Sequence, residues 1–180
     1  LDKETSGLIL IAKKRKALVD IHRQIRGKLL HKKYQVIVNG MWEKKQLTVN
    51  LDLLKTTTHD GQKKVKVVTA NNQKETSKDS RSVFFLQDCY KFFSLLDVKL
   101  ITGRTHQIRV HLSYLGFPIV GDEKYGDFKL NKIHNKIGFK RMYLHAGELG
   151  FIHPISGEKH FIKAPIPEEF NDLLTYTKEH

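Results

Sequence analysis

Two polar segments that lie far apart in the chain carry side chains that could do chemistry together. Asp2 places one carboxylate in a short turn-forming segment, LDKETSG at residues 1–7, directly ahead of an apolar run. Residues 103–111, GRTHQIRVH, bring two arginines, two histidines and a glutamine to the predicted start of a helix. The free N–H groups of a helix N-terminus, beside Arg104 and Arg109, suit an anionic group such as a phosphate or a carboxylate. Together the segments are typical of a site that acts on nucleic acid.

The composition of the chain favours the same class of partner. Lys and Arg total 32 against 19 acidic residues, and the resulting net charge of +13 favours a polyanion. A basic soluble protein without such a partner is the alternative. Cys89 is the only cysteine, which excludes a disulfide framework or a Cys-rich zinc site and suits a reducing cytoplasm. No stretch of about 18 apolar residues and no signal segment occurs, so we expect no membrane association.

The elements that position these segments follow from the spacing of apolar residues. Residues 8–12 form a continuous apolar run that predicts a buried strand. Residues 16–26 have helical spacing, with Leu18, Ile21 and Ile25 on the apolar face. A second helix is predicted after Gly103, in the region that contains the second polar segment.

That second helix is expected to run from Thr105, as its N-cap, to Leu115. Its apolar face is Ile108, Leu112 and Leu115. Strands are predicted through 34–38, 46–51, 64–69, 81–86, 92–100, 142–145, 149–153 and 159–163, with a terminal helix at 167–176 and surface loops at 55–60 and 70–79. Strands outnumber helices and short turns join most of them. We therefore expect an α+β fold, a mixed and mostly antiparallel sheet with flanking helices.

The two polar segments closely resemble the signature of the RluA family of pseudouridine synthases. That signature has an Asp in a His-Arg-Leu-Asp-x-x-Thr-Ser-Gly loop and a Gly-Arg-x-His-Gln-Ile/Leu-Arg-x-His helix start. Residues 32–40 match the family's Lys-x-Tyr strand, and residues 143–154 resemble its closing Leu-His-Ala motif. The resemblance spans essentially the whole chain. It implies the bent sheet of the pseudouridine synthase catalytic fold and an enzyme that isomerises uridine in RNA.

The resemblance implies a chemistry that needs only one carboxylate. The reaction breaks the bond from ribose C1′ to the base nitrogen and rejoins the same ring through carbon, whereas glycosidases use two carboxyl groups. Asp2 is the implied catalytic residue, either attacking the anomeric carbon or assisting elimination to a glycal. Arg109 is implied to hold this carboxylate ionised through a bidentate pair. Arg104 is expected to face backbone phosphate.

Further positions are implied to bind the substrate. Tyr34 matches the tyrosine that stacks on the flipped uracil, a contact worth roughly 1–3 kcal/mol, and it is a candidate for proton transfer at C5. Leu144 is assigned to the wall of the uracil pocket, although a core position is equally consistent with the sequence. Lys32 and Lys33 are expected to contact RNA together with Arg104.

The implied reaction has no net redox change, group transfer or hydrolysis, so we expect neither a cofactor nor a catalytic metal. RNA is the expected partner, without an obligate protein partner, in the cytoplasm. Patches at 40–42, 53–55, 64–68 and 126–128 most resemble the RluC branch of the family, which modifies large-subunit ribosomal RNA. Because the chain starts inside the first signature, we expect residues 1–180 to be a catalytic domain that lacks its N-terminal part.

Each assignment has an ordinary structural alternative. Asp2 before Thr-Ser-Gly is also common turn chemistry, and Tyr34 alone would suit a half-buried strand. The joint occurrence of the motifs favours the functional interpretation. Asp122 is expected to be a structural loop residue, and the histidines at 106, 111, 145 and 153 to complete hydrogen bonds rather than bind a metal. The alternative function is a non-catalytic RNA-binding or ribosome-assembly protein that retains the fold.

Overall fold

The computed structural model describes residues 1–57, 61–69 and 76–179. Within these ranges the chain forms nine strands and four helices. The strands are β1 (Ser6–Gly7), β2 (His31–Asn39), β3 (Gln46–Asn50), β4 (Asp52–Thr57), β5 (Lys63–Val68), β6 (Arg81–Cys89), β7 (Phe93–Leu100), β8 (Leu144–Ile152) and β9 (Lys159–Lys163). The helices are α1 (Arg15–Arg26), α2 (Gln107–Tyr114), α3 (Phe128–Lys136) and α4 (Glu168–Glu179).

Seven strands form one sheet in the order β1-β8-β2-β7-β6-β3, and β9 also pairs with β8. All pairings in this sheet are antiparallel except that of β1 with β8. Strands β4 and β5 form a separate two-stranded sheet. The expected mixed, mostly antiparallel sheet with flanking helices is therefore confirmed.

The central strand β2 separates two hydrophobic layers because its side chains alternate between the faces of the sheet. Val36 and Val38 pack on one face with Ile108 and Leu112 of α2. Ile37 packs on the other face, in a cluster that includes three residues of α4. The members of this cluster are Ile37, Phe93, Val120, Tyr143 and, from α4, Phe170, Leu173 and Leu174. Helix α2, which carries the second polar motif, is thus fixed to one face of the sheet. The predicted burial of Ile108 and Leu112 is confirmed.

The predicted buried strand at residues 8–12 is wrong. Only Ser6 and Gly7 pair with β8, and Ile9 and Ile11 remain 64% and 76% exposed. The physical reason is competition for one edge. Strand β9 pairs with β8 from Glu148 to Ile152, so the N-terminal segment can extend this edge over two residues only.

Other predicted boundaries need correction where distant pairing overrides local pattern. Strands predicted at 142–145 and 149–153 are one continuous strand, β8. Part of the predicted loop at 55–60 belongs to β4, whose residues pair with β5, and residues 58–60 lie outside the described residues. Residues 70–75 of the other predicted loop lie outside them as well. Helix α3 was not predicted.

Helix α1 forms where predicted but does not pack as predicted. Ile21 is buried, whereas Leu18 and Ile25 are 44% and 46% exposed. The buried Gln24 attaches the helix to β8 instead, because its amide donates to the carbonyl of Ile152 at 2.6 Å and accepts from the Ile152 N–H at 3.0 Å. Among the described residues, no helix combines the length and apolar character needed to cross a membrane.

His111 of α2 is fully buried between two serine hydroxyls. Its Nε2 lies 2.8 Å from Ser80 Oγ, which donates to the carbonyl of Leu51, and its Nδ1 lies 3.1 Å from Ser82 Oγ. The neutral ring with its proton on Nε2 satisfies both contacts. Burial lowers the pKa of His111 to about 4, so the ring stays neutral in the folded protein above that pH.

This burial predicts that the protein becomes less stable in mild acid. The unfolded chain binds a proton on His111 near its ordinary pKa of about 6.5, and the folded chain does not, so acidification from pH 7 to pH 5 should lower the free energy of unfolding by roughly 2 kcal/mol. Urea denaturation at several pH values measures this. His111→Asn should make the dependence shallower, and His22→Asn, an exposed control on α1, should leave it unchanged. An equally steep dependence in His111→Asn would contradict the assignment.

Candidate active site

One cavity of about 310 Å³ collects most of the residues that the sequence singled out. It lies between the N-terminal turn, strand β2, the start of α2 and strand β8. Its lining includes the residues Asp2, Lys32, Tyr34, Arg104, Arg109 and Leu144. Six of the seven predicted site residues therefore meet in one place, although they come from four separate parts of the chain.

Asp2 is presented to the cavity by a turn anchored on β8. The Thr5 N–H donates to the Asp2 carbonyl at 3.0 Å and closes the turn. Ser6 Oγ lies 2.9 Å from His145 Nδ1, which holds β1 against β8. Gly7 has φ +106°, and a Cβ there would lie 2.3 Å from the Ala146 carbonyl oxygen. Any residue other than glycine would push this turn off the sheet and displace Asp2.

Arg109 connects Asp2 to a second carboxylate. Its Nε and Nη2 each donate to a different oxygen of Asp122 at 2.8 Å, and its Nη1 donates to Asp2 Oδ2 at 3.2 Å. The expected contact between Arg109 and Asp2 is present, but the bidentate pair is wrong for these two residues. The guanidinium makes its bidentate pair with Asp122, and only one N–H remains directed at Asp2.

Asp122 is a fully buried acceptor of several hydrogen bonds. Its Oδ1 accepts from the backbone N–H groups of Lys124 and Tyr125 at 2.8 and 3.0 Å, besides the Arg109 bond. Burial raises the pKa of Asp122, but the hydrogen bonds from Arg109 and from these N–H groups outweigh it and lower the pKa below its ordinary value. Asp122 is therefore ionised at neutral pH. The expectation that it is a structural loop residue describes its location but misses its contact with Arg109.

Strand β2 delivers alternate residues to the cavity. Lys32 and Tyr34 point into it, whereas Lys33 does not line it. Lys33 Nζ instead pairs with Asp97 at 2.7 Å and with Glu148 at 3.8 Å. The period-2 geometry of a strand separates Lys33 from its neighbours, so the structure does not bring this predicted RNA-contacting residue to the site. Leu144 is buried and forms part of the cavity wall.

The cationic side of the cavity is formed by Lys32 and Arg104. Arg104 is exposed, and its Nε donates to the Asp79 carbonyl at 3.0 Å. Gly103 leaves room for Lys32, because a Cβ at that position would lie 3.2 Å from the Lys32 Nζ. Burial lowers the pKa of Lys32, and the nearby Arg104 adds to the effect. An anionic ligand between the two cations would relieve their repulsion.

The predicted start of α2 needs a correction. Thr105 is not the N-cap, because the helix begins at Gln107 and His106 precedes it with φ 54°, without a side-chain cap. Gln107 fixes this irregular turn instead. Its Oε1 accepts from the Arg104 N–H at 2.9 Å and from Thr102 Oγ1 at 2.8 Å. A non-glycine residue in the left-handed region beside a cavity is strained backbone of the kind that clusters at functional sites.

Tyr125 lies near Asp2 and was not predicted to belong to the site, whereas His106 was expected to complete hydrogen bonds there. His106 Nε2 lies 4.0 Å from Asp2 Oδ1, and its Nδ1 lies 2.8 Å from the hydroxyl of Tyr125. The Tyr125 ring also lies under the Arg109 guanidinium, with 5.2 Å between the guanidinium carbon and the ring centroid. Burial lowers the pKa of His106 and the Asp2 charge opposes it, with burial prevailing. The run Gly-Asp-x-x-Tyr-Gly at 121–126 was the available sequence signal.

The four histidines considered as a metal site do not meet. His111 lies between Ser80 and Ser82, and His153 lies at a surface turn beside Ser156. Within the described ranges, no group of three or more His, Cys, Asp or Glu residues is arranged to hold a metal ion.

Comparison with known proteins identifies relatives of the chain. The family described as RNA pseudouridylate synthase matches residues 1–114. Ribosomal large subunit pseudouridine synthase C of Pasteurella multocida (strain Pm70) is 38% identical over 179 residues, which cover 99% of this chain and 53% of that protein. The protein of the same name from Escherichia coli (strain K12) is 39% identical over 176 residues, covering 97% and 53%. The chain spans about half the length of these relatives.

Solved structures show the same fold. Human RNA Pseudouridylate Synthase Domain Containing 1 superposes with a TM-score of 0.77 at 23% identity, covering 100% of this chain and 78% of that one. Human RNA Pseudouridylate Synthase Domain Containing 4 gives a TM-score of 0.78 at 23% identity, covering 99% and 74%. The expected catalytic fold is confirmed.

The geometry predicts that Arg109→Leu destabilises the fold as well as the site. The change leaves the Asp122 carboxylate buried without its counter-ion, and loss of one partner of a buried pair costs about 3–5 kcal/mol. Arg104→Leu removes an exposed cation and should change stability by about 0.5 kcal/mol or less. Urea denaturation of both variants measures the difference. Equal midpoints for Arg109→Leu and the unmodified protein would show that the pair with Asp122 does not hold the fold.

Proposed function

The chain belongs to the RNA pseudouridylate synthase family, and on that basis we propose that it isomerises specific uridines of large-subunit ribosomal RNA to pseudouridine. The observation that carries the proposal is the single carboxylate of Asp2, directed by Arg109 Nη1 into the cavity that Tyr34 and Leu144 line. The names of the relatives support ribosomal RNA as the substrate class. A cytoplasmic location is part of the same proposal.

Asp2 carries the covalent chemistry in this proposal. The bond between ribose C1′ and N1 of uracil breaks, the base turns within the cavity, and a new bond forms from C1′ to C5, which then loses its proton while N1 gains one. An ionised carboxylate assists either by attack on C1′ or by removal of a ribose proton to give a glycal. The contact with Arg109 at 3.2 Å orients one oxygen of the Asp2 carboxylate.

Tyr34 supplies a surface for the base. Burial raises the pKa of its hydroxyl, and the charge of Asp2 raises it further, so the phenol stays protonated at neutral pH. A protonated phenol is a poor base, which favours stacking on uracil over removal of the C5 proton. Leu144 lines the same cavity, so the pocket offers a flat base two apolar contacts.

The RNA backbone is expected to cross the cationic side of the site. A second cavity of about 260 Å³ adjoins the first, and both are lined by Gly103, Arg104 and Thr105. Lys55 and Lys78 lie along the second cavity. The target nucleotide must leave its helix to reach Asp2, because a paired base hides C1′ and its own face. Arg104 lines both cavities, and we expect it to hold the phosphate next to the extruded nucleotide.

The central prediction is that Asp2→Asn abolishes pseudouridine formation in the full-length gene product. The amide carries no negative charge and cannot attack or deprotonate the ribose. RNA affinity should stay within about twofold, because phosphate contacts from many basic residues dominate binding. Pseudouridine is measured by tritium release or mass spectrometry on a ribosomal RNA fragment.

Glu4→Gln is the matched control for this change, because Glu4 is an exposed carboxylate of the same turn and should be dispensable. Turnover by Asp2→Asn, after deamidation back to Asp is excluded, would falsify the assignment. An unmodified protein that binds the RNA but forms no pseudouridine would favour the non-catalytic alternative.

Lys32 and Lys33 give a matched test of the RNA path. Lys32→Gln should weaken RNA binding and reduce the slope of log K against log salt by about 1, because one phosphate contact is lost. Lys33→Gln removes the same charge from a side chain already paired with Asp97, and should leave the slope unchanged. Filter binding across a salt series measures both. Equal effects of the two substitutions would show that net charge, rather than the cavity, controls RNA binding.

A further inference from the structure

The turn at residues 121–126 reaches the active site without being one of its predicted parts. Asp122 contacts Arg109, and Tyr125 contacts both Arg109 and His106. Neither residue lines the cavity that holds Asp2. Their influence on the cavity must therefore pass through Arg109 and His106.

The geometry of Arg109 is controlled mainly by Asp122. Two of its donors bind Asp122 at 2.8 Å, and one binds Asp2 at the longer distance of 3.2 Å. A pair of parallel hydrogen bonds fixes the plane of a guanidinium, whereas a single bond does not. The direction of Nη1, and so the position of Asp2 Oδ2, follows from where Asp122 holds the group.

The position of Asp122 is in turn fixed by its own turn. Its carbonyl accepts from Asn131 Nδ2 at 2.9 Å, and Asn131 Oδ1 accepts from the Gly121 N–H at 2.9 Å. A Cβ at Gly121 would lie 1.9 Å from the Arg141 carbonyl oxygen, and one at Gly126 would lie 2.1 Å from the Asp122 carbonyl oxygen. The turn is therefore closely packed, and it fixes the position of the Asp122 carboxylate that binds the Arg109 guanidinium.

We propose that Asp122 is a positioning residue for pseudouridine formation, because it holds two donors of Arg109 and leaves a single N–H directed at Asp2. The proposal rests on the proposed function of the same site. Asp2 Oδ2 is oriented by that N–H. Asp2 Oδ1, whose neighbour in this direction is His106 Nε2 at 4.0 Å, is left available for the ribose.

Without Asp122, the guanidinium would be free to form a bidentate pair with Asp2. Both oxygens of Asp2 would then accept strong hydrogen bonds, and a carboxylate held in this way is a weaker nucleophile and a weaker base. Asp122 thus prevents Arg109 from forming a bidentate pair with Asp2. This role differs from a purely structural one, because it affects the chemical step and leaves RNA binding intact.

The test is Asp122→Asn in the full-length gene product, with steady-state kinetics on a ribosomal RNA fragment. The amide has about the shape of the carboxylate but cannot accept both guanidinium donors. We expect kcat to fall about 10²-fold, as small misplacement of a catalytic group does, while KM changes less than about threefold. Asp127→Asn is the matched control. Asp127 caps α3 from the same region, and Asn caps helices equally well, so kcat should not change.

Asn131→Ala provides a second variant in case Asp122→Asn does not fold. It removes the hydrogen bonds that hold the Gly121–Asp122 backbone and changes no charge. We expect a folded protein, verified by circular dichroism, with kcat reduced about tenfold and KM unchanged. Unchanged kcat in a folded variant of either kind overturns the proposal. So does a loss of activity that merely tracks the unfolded fraction, because that result shows a structural role.

A crystal structure of Asp122→Asn gives a readout that does not depend on activity. Two hydrogen bonds between Arg109 and Asp2 support the proposal, and an Arg109 that has not moved contradicts it. The unmodified protein separates this proposal from the proposed function. If it forms no pseudouridine, the function fails, whereas an active unmodified protein with an equally active Asp122→Asn variant overturns the role of Asp122 alone.

Discussion

The rest of the site depends on one interaction, the buried guanidinium of Arg109 between the carboxylates of Asp122 and Asp2. Arg109 is 5% exposed and Asp122 is fully buried, so neither charge has water to replace a missing partner. Such a group is stable only when its hydrogen bonds are satisfied inside the protein. This requirement brings together three segments, the N-terminal turn, the first turn of α2 and the loop after α2. They are not adjacent to one another in the sequence. Asp2 is the member of this set that solvent and substrate can reach, since its side chain is 23% exposed.

The sheet supplies the precision that this interaction needs. Strand β8 holds the Asp2 turn through the two-residue strand β1, and strand β2 presents Lys32 and Tyr34 to the same side. A register shift between Lys33 and Tyr34 in the pairing of β2 with β8 lies within this region. The two faces of β2 differ in charge. Lys33 pairs with Asp97 on one face, whereas Lys32 lines the cavity on the other face together with Arg104. Lys32 and Arg104 thus leave positive charge on the side of the sheet that carries the cavity.

The sequence correctly predicts the features that depend on a local pattern or on resemblance to a known motif. Asp2, Tyr34 and Arg109 meet in one cavity as expected, and the helical spacing correctly predicts that Ile108 and Leu112 are buried, although Val110 and His111 on other sides of α2 are buried as well. The errors arise where a distant partner decides the outcome. Residues 8–12 have the composition of a buried strand, but β9 occupies the edge they would need. The bidentate pair was expected for Asp2, yet it belongs to Asp122, because a carboxylate that makes several buried hydrogen bonds cannot be recognised from its sequence neighbours.

We propose that Asp2, held by Arg109, makes pseudouridine in large-subunit ribosomal RNA. The most direct measurement is a map of pseudouridine across that RNA in cells lacking the full-length gene, with the unmodified gene or the Asp2→Asn gene restored. We expect at least one pseudouridine to disappear on deletion, to return with the unmodified gene and to stay absent with the Asp2→Asn gene. An identical pseudouridine map in the parent strain, the deletion strain and both restored strains would contradict this role of Asp2.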